Sequence, residues 1–164
     1  MYWNAFDSKF DAMKTMLPQG MKAVGGVGNG VFEIAEDLVG FESLCLLQVD
    51  EPDTFSELFV RIGGLLVELW TEFMKRHADA YAVCRIGDDM GFKTGLMISP
   101  DDTRKLVLSG HKRLAEIVHQ AGRPYLLHAC GKRTDIIEDL IEDVKLDALH
   151  SWEDAIELIA DAKK

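Results

Sequence analysis

What most constrains this chain is an alternation that occurs four times: a short apolar run, a cluster of glycine or polar residues, then a stretch with helical hydrophobic spacing. A leading helix carries Phe6, Phe10, Met13 and Leu17 on one stripe and is followed by Pro18. The apolar runs then lie around Met21–Val27, Ala80–Ile86, Pro124–Ala129 and Leu146–His150. Strands this short, joined by helical crossovers, imply a parallel sheet with right-handed connections, which is the α/β class.

The intervening helices have legible ends. Val31 to Val39 stops at Gly40. Pro52 to His77 is one long helix with Phe55, Leu58, Ile62, Leu65, Leu69 and Phe73 as its stripe, widened by Phe59, Leu66 and Trp70. Gly63-Gly64 weakens it, at about 1 kcal/mol per glycine relative to alanine. The next helix starts with Ser99 as N-cap, Pro100 in the first turn and Asp102 near the positive helix end, and closes at Gly122. A further helix spans about Thr134 to Val144, and Ser151 with Asp154 opens a last one that runs to Lys164.

At 164 residues, four βα units leave two architectures open. One is an open doubly wound domain. The other is about half of a (β/α)8 barrel, which takes roughly 250 residues when whole. A half-barrel leaves two unpaired sheet edges and an uncovered apolar face. Such a chain is expected to associate with itself or a partner, or to belong to a longer protein.

Composition removes several function classes. A net charge of −10 disfavours nucleic acid and anionic membrane surfaces. No apolar run approaches the ~20 residues of a membrane span, and MYWNAFDSKF lacks the layout of a signal peptide. Cys45, Cys84 and Cys130 are widely spaced and odd in number, which argues for a reducing, cytoplasmic setting.

In parallel α/β folds, ligands bind at the carboxyl ends of the strands. Every unusual cluster falls at such an end: GGVGNG, GDDMG, HACG and HSWED. His128 and Cys130 are two residues apart on a strand end and leave the same face, so they offer half of a tetrahedral zinc site. The competing reading is a core histidine and a small buried cysteine. Asp88 and Asp89 are candidates for acid–base work or for orienting a ligand, against a solvated loop that Lys93 neutralises. GGVGNG has neither the dinucleotide-binding spacing nor a following GK[ST]. Its Gly26 and Asn29 are candidates for a tight turn against a substrate, or belong to a loop with no ligand role. His150 is a candidate ligand or base at the fourth strand end. His77, His111, His119, Cys45 and Cys84 receive no chemistry, and no nucleophile elbow is present.

AVGGVGNGVFEIAEDLVGFE (Ala23 to Glu42), GDDMGFKTGLMISPDD (Gly87 to Asp102), GRPYLLHACG (Gly122 to Gly131) and DALHSWED (Asp147 to Asp154) resemble the uroporphyrinogen decarboxylase superfamily, in its order and with its spacing. That superfamily takes in the decarboxylases of haem biosynthesis and the corrinoid-dependent methyltransferases that methylate coenzyme M. The resemblance implies a partial (β/α)8 barrel. It has about four parallel βα units after an N-terminal helix, as a single domain over residues 1–164 truncated at both ends.

In the methyltransferase branch a His-x-Cys pair at this position binds zinc together with a later cysteine. The resemblance therefore makes His128 and Cys130 zinc ligands and implies a small thiol acceptor and a corrinoid methyl donor on a partner protein. Asp88 and Asp89 would be catalytic, and Gly26, Asn29, Lys93 and His150 would bind substrate. No cysteine follows Cys130, so either the natural protein is longer, or zinc is held by substitutes such as His150 or Asp89, or the chain is inactive. The alternatives are a decarboxylase acting on a tetrapyrrole and a non-catalytic half-barrel that self-associates.

Overall fold

The computed structural model describes residues 2–153, 155 and 156. The last expected helix, opened by Ser151 and Asp154 and running to Lys164, lies mostly outside them. Strands β1 (Ala23–Gly25), β2 (Tyr81–Gly87), β3 (Tyr125–His128) and β4 (Ala148–His150) pair in that order, and every pairing is parallel. Consecutive parallel strands side by side, each joined to the next by helical structure, make a partial (β/α) barrel of four units, with helix α1 (Tyr2–Met16) leading in.

Register fixes the functional rim. Gly87 pairs with His128, and His128 with His150, so three strand ends finish level. On the helix-covered face, Cys84, Ile86, Tyr125 and Leu127 are buried. Arg85, Leu126 and His128 alternate with them and are only half-buried, so they line the opposite face.

Helices α2 (Val31–Val39), α3 (Phe41–Asp50), α4 (Pro52–His77) and α6 (Ser109–Gln120) build the outer layer. Along α4 the buried residues are Phe55, Phe59, Ile62, Gly63, Leu66, Trp70, Phe73, Met74 and His77. The stripe is therefore rotated from the expected one: Leu65 is 66% exposed, and the aromatic row faces the core. Trp70 meets Tyr125 of β3 edge-on at 6.3 Å and Phe73 at 5.5 Å. Each fully buried side chain of this size contributes about 1.5–3 kcal/mol through removal from water.

Of the two glycines in α4, Gly63 packs against a neighbouring helix, while Gly64 has nothing within 4 Å of where a Cβ would stand. A Cβ on Gly63 would lie 3.9 Å from the Cα of Gly110 in α6, so small residues on both helices permit a close crossing.

Ser99 caps its helix as expected: its hydroxyl oxygen accepts from the Asp102 N–H at 3.1 Å, and Asp102 accepts the Ser99 proton at 2.8 Å. The first turn, α5 (Pro100–Asp102), passes through π-helical turns at Thr103–Leu108 before reaching α6. After β3 the expected helix is broken into a 3-10 turn at Thr134–Ile136 and a π-helical stretch at Asp139–Asp143. Ile136, Leu140 and Val144 still bury their side chains, so the apolar spacing survives the irregular ladder.

Helix α1 docks through Phe10, 5.1 Å from Phe73, and through Asp7, which accepts from Arg76 and contacts His77 at 2.9 Å each. Among the described residues, no helix is long and apolar enough to cross a membrane.

Candidate functional site

The loop after β3 folds Cys130 back over the strand end. Its backbone N–H donates to Asp89 Oδ1 at 2.7 Å, which ties the β3 loop to the β2 loop. Cys130 Sγ then lies 3.4 Å from His128 Nε2, and His128 Nε2 lies 3.7 Å from Asp89 Oδ1. The three donor atoms all fall within 4.8 Å of one another. In a tetrahedral zinc site with ordinary Zn–S, Zn–N and Zn–O lengths, neighbouring ligand atoms are about 3.3–3.6 Å apart. The soft sulfur, imidazole and carboxylate present here suit that ion in kind; the 3.4 Å sulfur–nitrogen separation falls in that range and the 3.7 Å nitrogen–oxygen separation lies just beyond it.

His150 stands beside this group and outside it. Its Nδ1 is 3.4 Å from His128 Nδ1, on the ring side away from Cys130. Burial first, then the neighbouring His128 and Arg85, lower the His150 pKa. A neutral His150 can accept the Nδ1 proton of His128, which leaves His128 Nε2 with a free lone pair toward Cys130 and Asp89.

The adjacent aspartates part company. Asp88 is completely buried and does not line the rim. Its carboxylate accepts from the N–H groups of Phe32 at 3.2 Å and Glu33 at 2.9 Å, the free donors at the start of α2. His111 Nε2 closes on Asp88 Oδ2 at 2.7 Å, and His111 Nδ1 reaches the Tyr125 hydroxyl at 2.9 Å. A Cβ on Gly30 would overlap the Asp88 carboxyl, so the glycine loop admits this aspartate. The expected catalytic role of Asp88 therefore becomes a structural one: it joins β2, α2 and α6 behind the rim.

The expected substrate-binding residues scatter. A Cβ on Gly26 would lie 2.5 Å from both the Arg85 carbonyl oxygen and the Trp70 ring, so close packing on its inner side excludes a side chain, while the glycine itself is half-buried. Asn29 is exposed on the loop after β1. Lys93 makes no ion pair with either aspartate among the described residues. With Phe92, Cys130, Gly131 and Glu153 it lines an open cleft of about 360 Å³ against the Cys130 side of the site.

Sequence reasoning missed three contributors. Glu33, in the first turn of α2, holds a carboxyl raised above its ordinary value by burial, then by Asp88 and Asp89, against a hydrogen bond from the Asp89 backbone. An acid in a first turn reads from sequence as a partner of the helix dipole, so nothing marked it. Ser151 places its hydroxyl 3.6 Å from Cys130 Sγ. That contact lowers the Cys130 pKa, but burial together with Asp89 and Glu153 outweighs it, and the thiol is raised overall. Arg133 sits 5% exposed between the loops after β3 and β4.

The sequence model described as uroporphyrinogen decarboxylase (URO-D) matches residues 7–163. The chain belongs to the uroporphyrinogen decarboxylase family. No curated protein and no solved structure matches it.

Proposed function

We propose that this chain carries a zinc-dependent, thiol-activating site of the corrinoid:thiol methyltransferase type, with Asp89, His128 and Cys130 as protein ligands. The observation that supports it is the convergence of three chemically suited donor atoms from the ends of β2 and β3 on one point of the rim. Bound there, zinc would lower the pKa of an acceptor thiol and hold it as the nucleophilic thiolate. The methyl donor in this reading is a corrinoid carried on a partner protein.

The residues divide the remaining work. As thiolate and carboxylate, Cys130 and Asp89 would bring negative charge to the centre, which favours a dication. His150 fixes the ring orientation of His128 from behind. Glu33, with its raised carboxyl beside the Asp89 backbone, offers a proton-accepting group at the same rim. The cleft between Phe92, Lys93 and Glu153 gives an acceptor a polar-edged approach to the Cys130 side.

The deciding experiment is zinc per chain after size-exclusion purification under reducing conditions, on the native sequence and on Cys130→Ser. Near-stoichiometric zinc that is lost in the variant supports the reading. A folded native chain without zinc overturns it, and carbon dioxide release from uroporphyrinogen by such a chain would transfer support to decarboxylation.

A further inference from the structure

We infer that Arg133 is the positioning residue of the rim: its guanidinium locks the loop after β3 against the loop after β4 and so sets the place of Cys130. The inference rests on the zinc-site reading for its metal consequence and on geometry alone for the rest. Arg133 Nη1 donates to the carbonyls of Ala129 and Gly131, the latter at 2.6 Å. These are the two residues that flank Cys130. Its Nη2 donates to the Ser151 carbonyl at 2.9 Å, and the guanidinium carbon stands 5.1 Å from the centroid of the Trp152 ring.

One buried side chain thus reaches both sides of the candidate cysteine and the residue whose hydroxyl contacts its sulfur. A planar fork suits this task because its donors diverge at fixed angles, whereas a lysine ammonium is a single flexible point. The opposite flank is already anchored. Lys132 N–H donates to the Phe92 carbonyl at 2.8 Å, and Gly131, at φ 77°, lies so close to Gly91 that a Cβ there would overlap its backbone. With the β2 loop fixed on one side, Arg133 supplies the restraint on the other.

The test uses Arg133→Met and Arg133→Lys in a Cys45→Ser background, where Cys130 is the half-exposed thiol and Cys84 stays buried. Three readouts are taken: zinc affinity by chelator competition, the absorption spectrum of the cobalt(II)-substituted protein, and the rate of maleimide labelling at Cys130. Arg133→Met is expected to weaken zinc by about 10–100-fold, the range for lost outer-shell partners. It should also alter the cobalt–thiolate absorption and speed labelling, with Arg133→Lys falling between it and native. Native affinity, spectrum and labelling rate in a folded Arg133→Met chain overturn the inference.

If Arg133→Met does not fold, Arg133→Lys decides the matter by the same readouts, and native values in it overturn the inference equally. If the parent chain binds no zinc, labelling alone still decides: faster labelling in the variants upholds the lock while the metal reading falls.

Discussion

His111 Nε2 lies 2.7 Å from Asp88 Oδ2, and neither side chain is exposed to solvent. This contact joins two buried polar groups, and the Phe32 and Glu33 N–H donors on Asp88 and the Tyr125 hydroxyl on His111 complete their hydrogen bonding. Asp88→Ala is expected to cost about 3–5 kcal/mol, the range for breaking a buried pair from one side. It strands His111 and two α2 N–H donors together. Asp88→Asn keeps acceptor capacity and should cost less. Urea denaturation midpoints check both, and an Asp88→Ala chain within 1 kcal/mol of native would return Asp88 to the list of rim residues.

Gly26 gives the converse case. Its missing side chain leaves room for the Trp70 ring and the Arg85 carbonyl, so Gly26→Ala forces two core elements apart. Overpacking of this kind costs about 1–3 kcal/mol. The expected result is a lower thermal midpoint. A variant that keeps native stability but loses ligand binding would instead support the substrate contact anticipated from the glycine-rich loop.

Glu33 leads to a pH prediction with a definite sign. Its carboxyl is raised above the ordinary value of 4.5, chiefly by burial and then by Asp88 and Asp89. The folded chain therefore binds a proton that the unfolded chain has released. The associated stability is fully present below the ordinary value and is lost as pH rises through the folded value. Glu33→Gln removes that loss. Its stability relative to native should increase as pH rises through this window and then level off, as read from urea midpoints at a series of pH values. Parallel curves would show that Glu33 titrates normally.

The fold was largely legible because its signal is redundant. The Pro52–His77 helix carries an apolar row, a proline at its start and basic residues at its end, and its observed bounds are those expected. By contrast, α3 (Phe41–Asp50) buries only Leu44 fully, and FESLCLLQVD has no marked stripe to reveal it. The site was legible only in part. His128 closes β3 and Cys130 follows two residues on in the loop, so their spacing points to the proximity that the Asp89 contact with the Cys130 N–H holds. Asp88 and Asp89 are equivalent in sequence, and what separates them is that one meets His111 and the start of α2 while the other meets Cys130. Those partners lie far along the chain, as do those of Arg133 and Ser151, and no local pattern encodes them.

Asp89 offers the sharpest separation of structure from metal binding, because its Oδ1 does two things. It accepts the Cys130 N–H at 2.7 Å and stands 3.7 Å from His128 Nε2. Asp89→Asn keeps an oxygen able to accept that hydrogen bond but removes the charge that a divalent ion requires. The loop should therefore stay in place, with unfolding free energy within about 0.5 kcal/mol of native, as for substitutions that preserve local contacts. Zinc affinity should fall by about 10–100-fold or more, since a ligand is expected to matter at least as much as its supporting partners. Asp89→Ala removes both functions and should lower stability as well, by about 1–3 kcal/mol for the unsatisfied N–H. Chelator competition and urea denaturation on the same two variants measure this. Unchanged zinc affinity in Asp89→Asn would remove Asp89 from the ligand set and leave it as the hydrogen-bond anchor of the Cys130 loop.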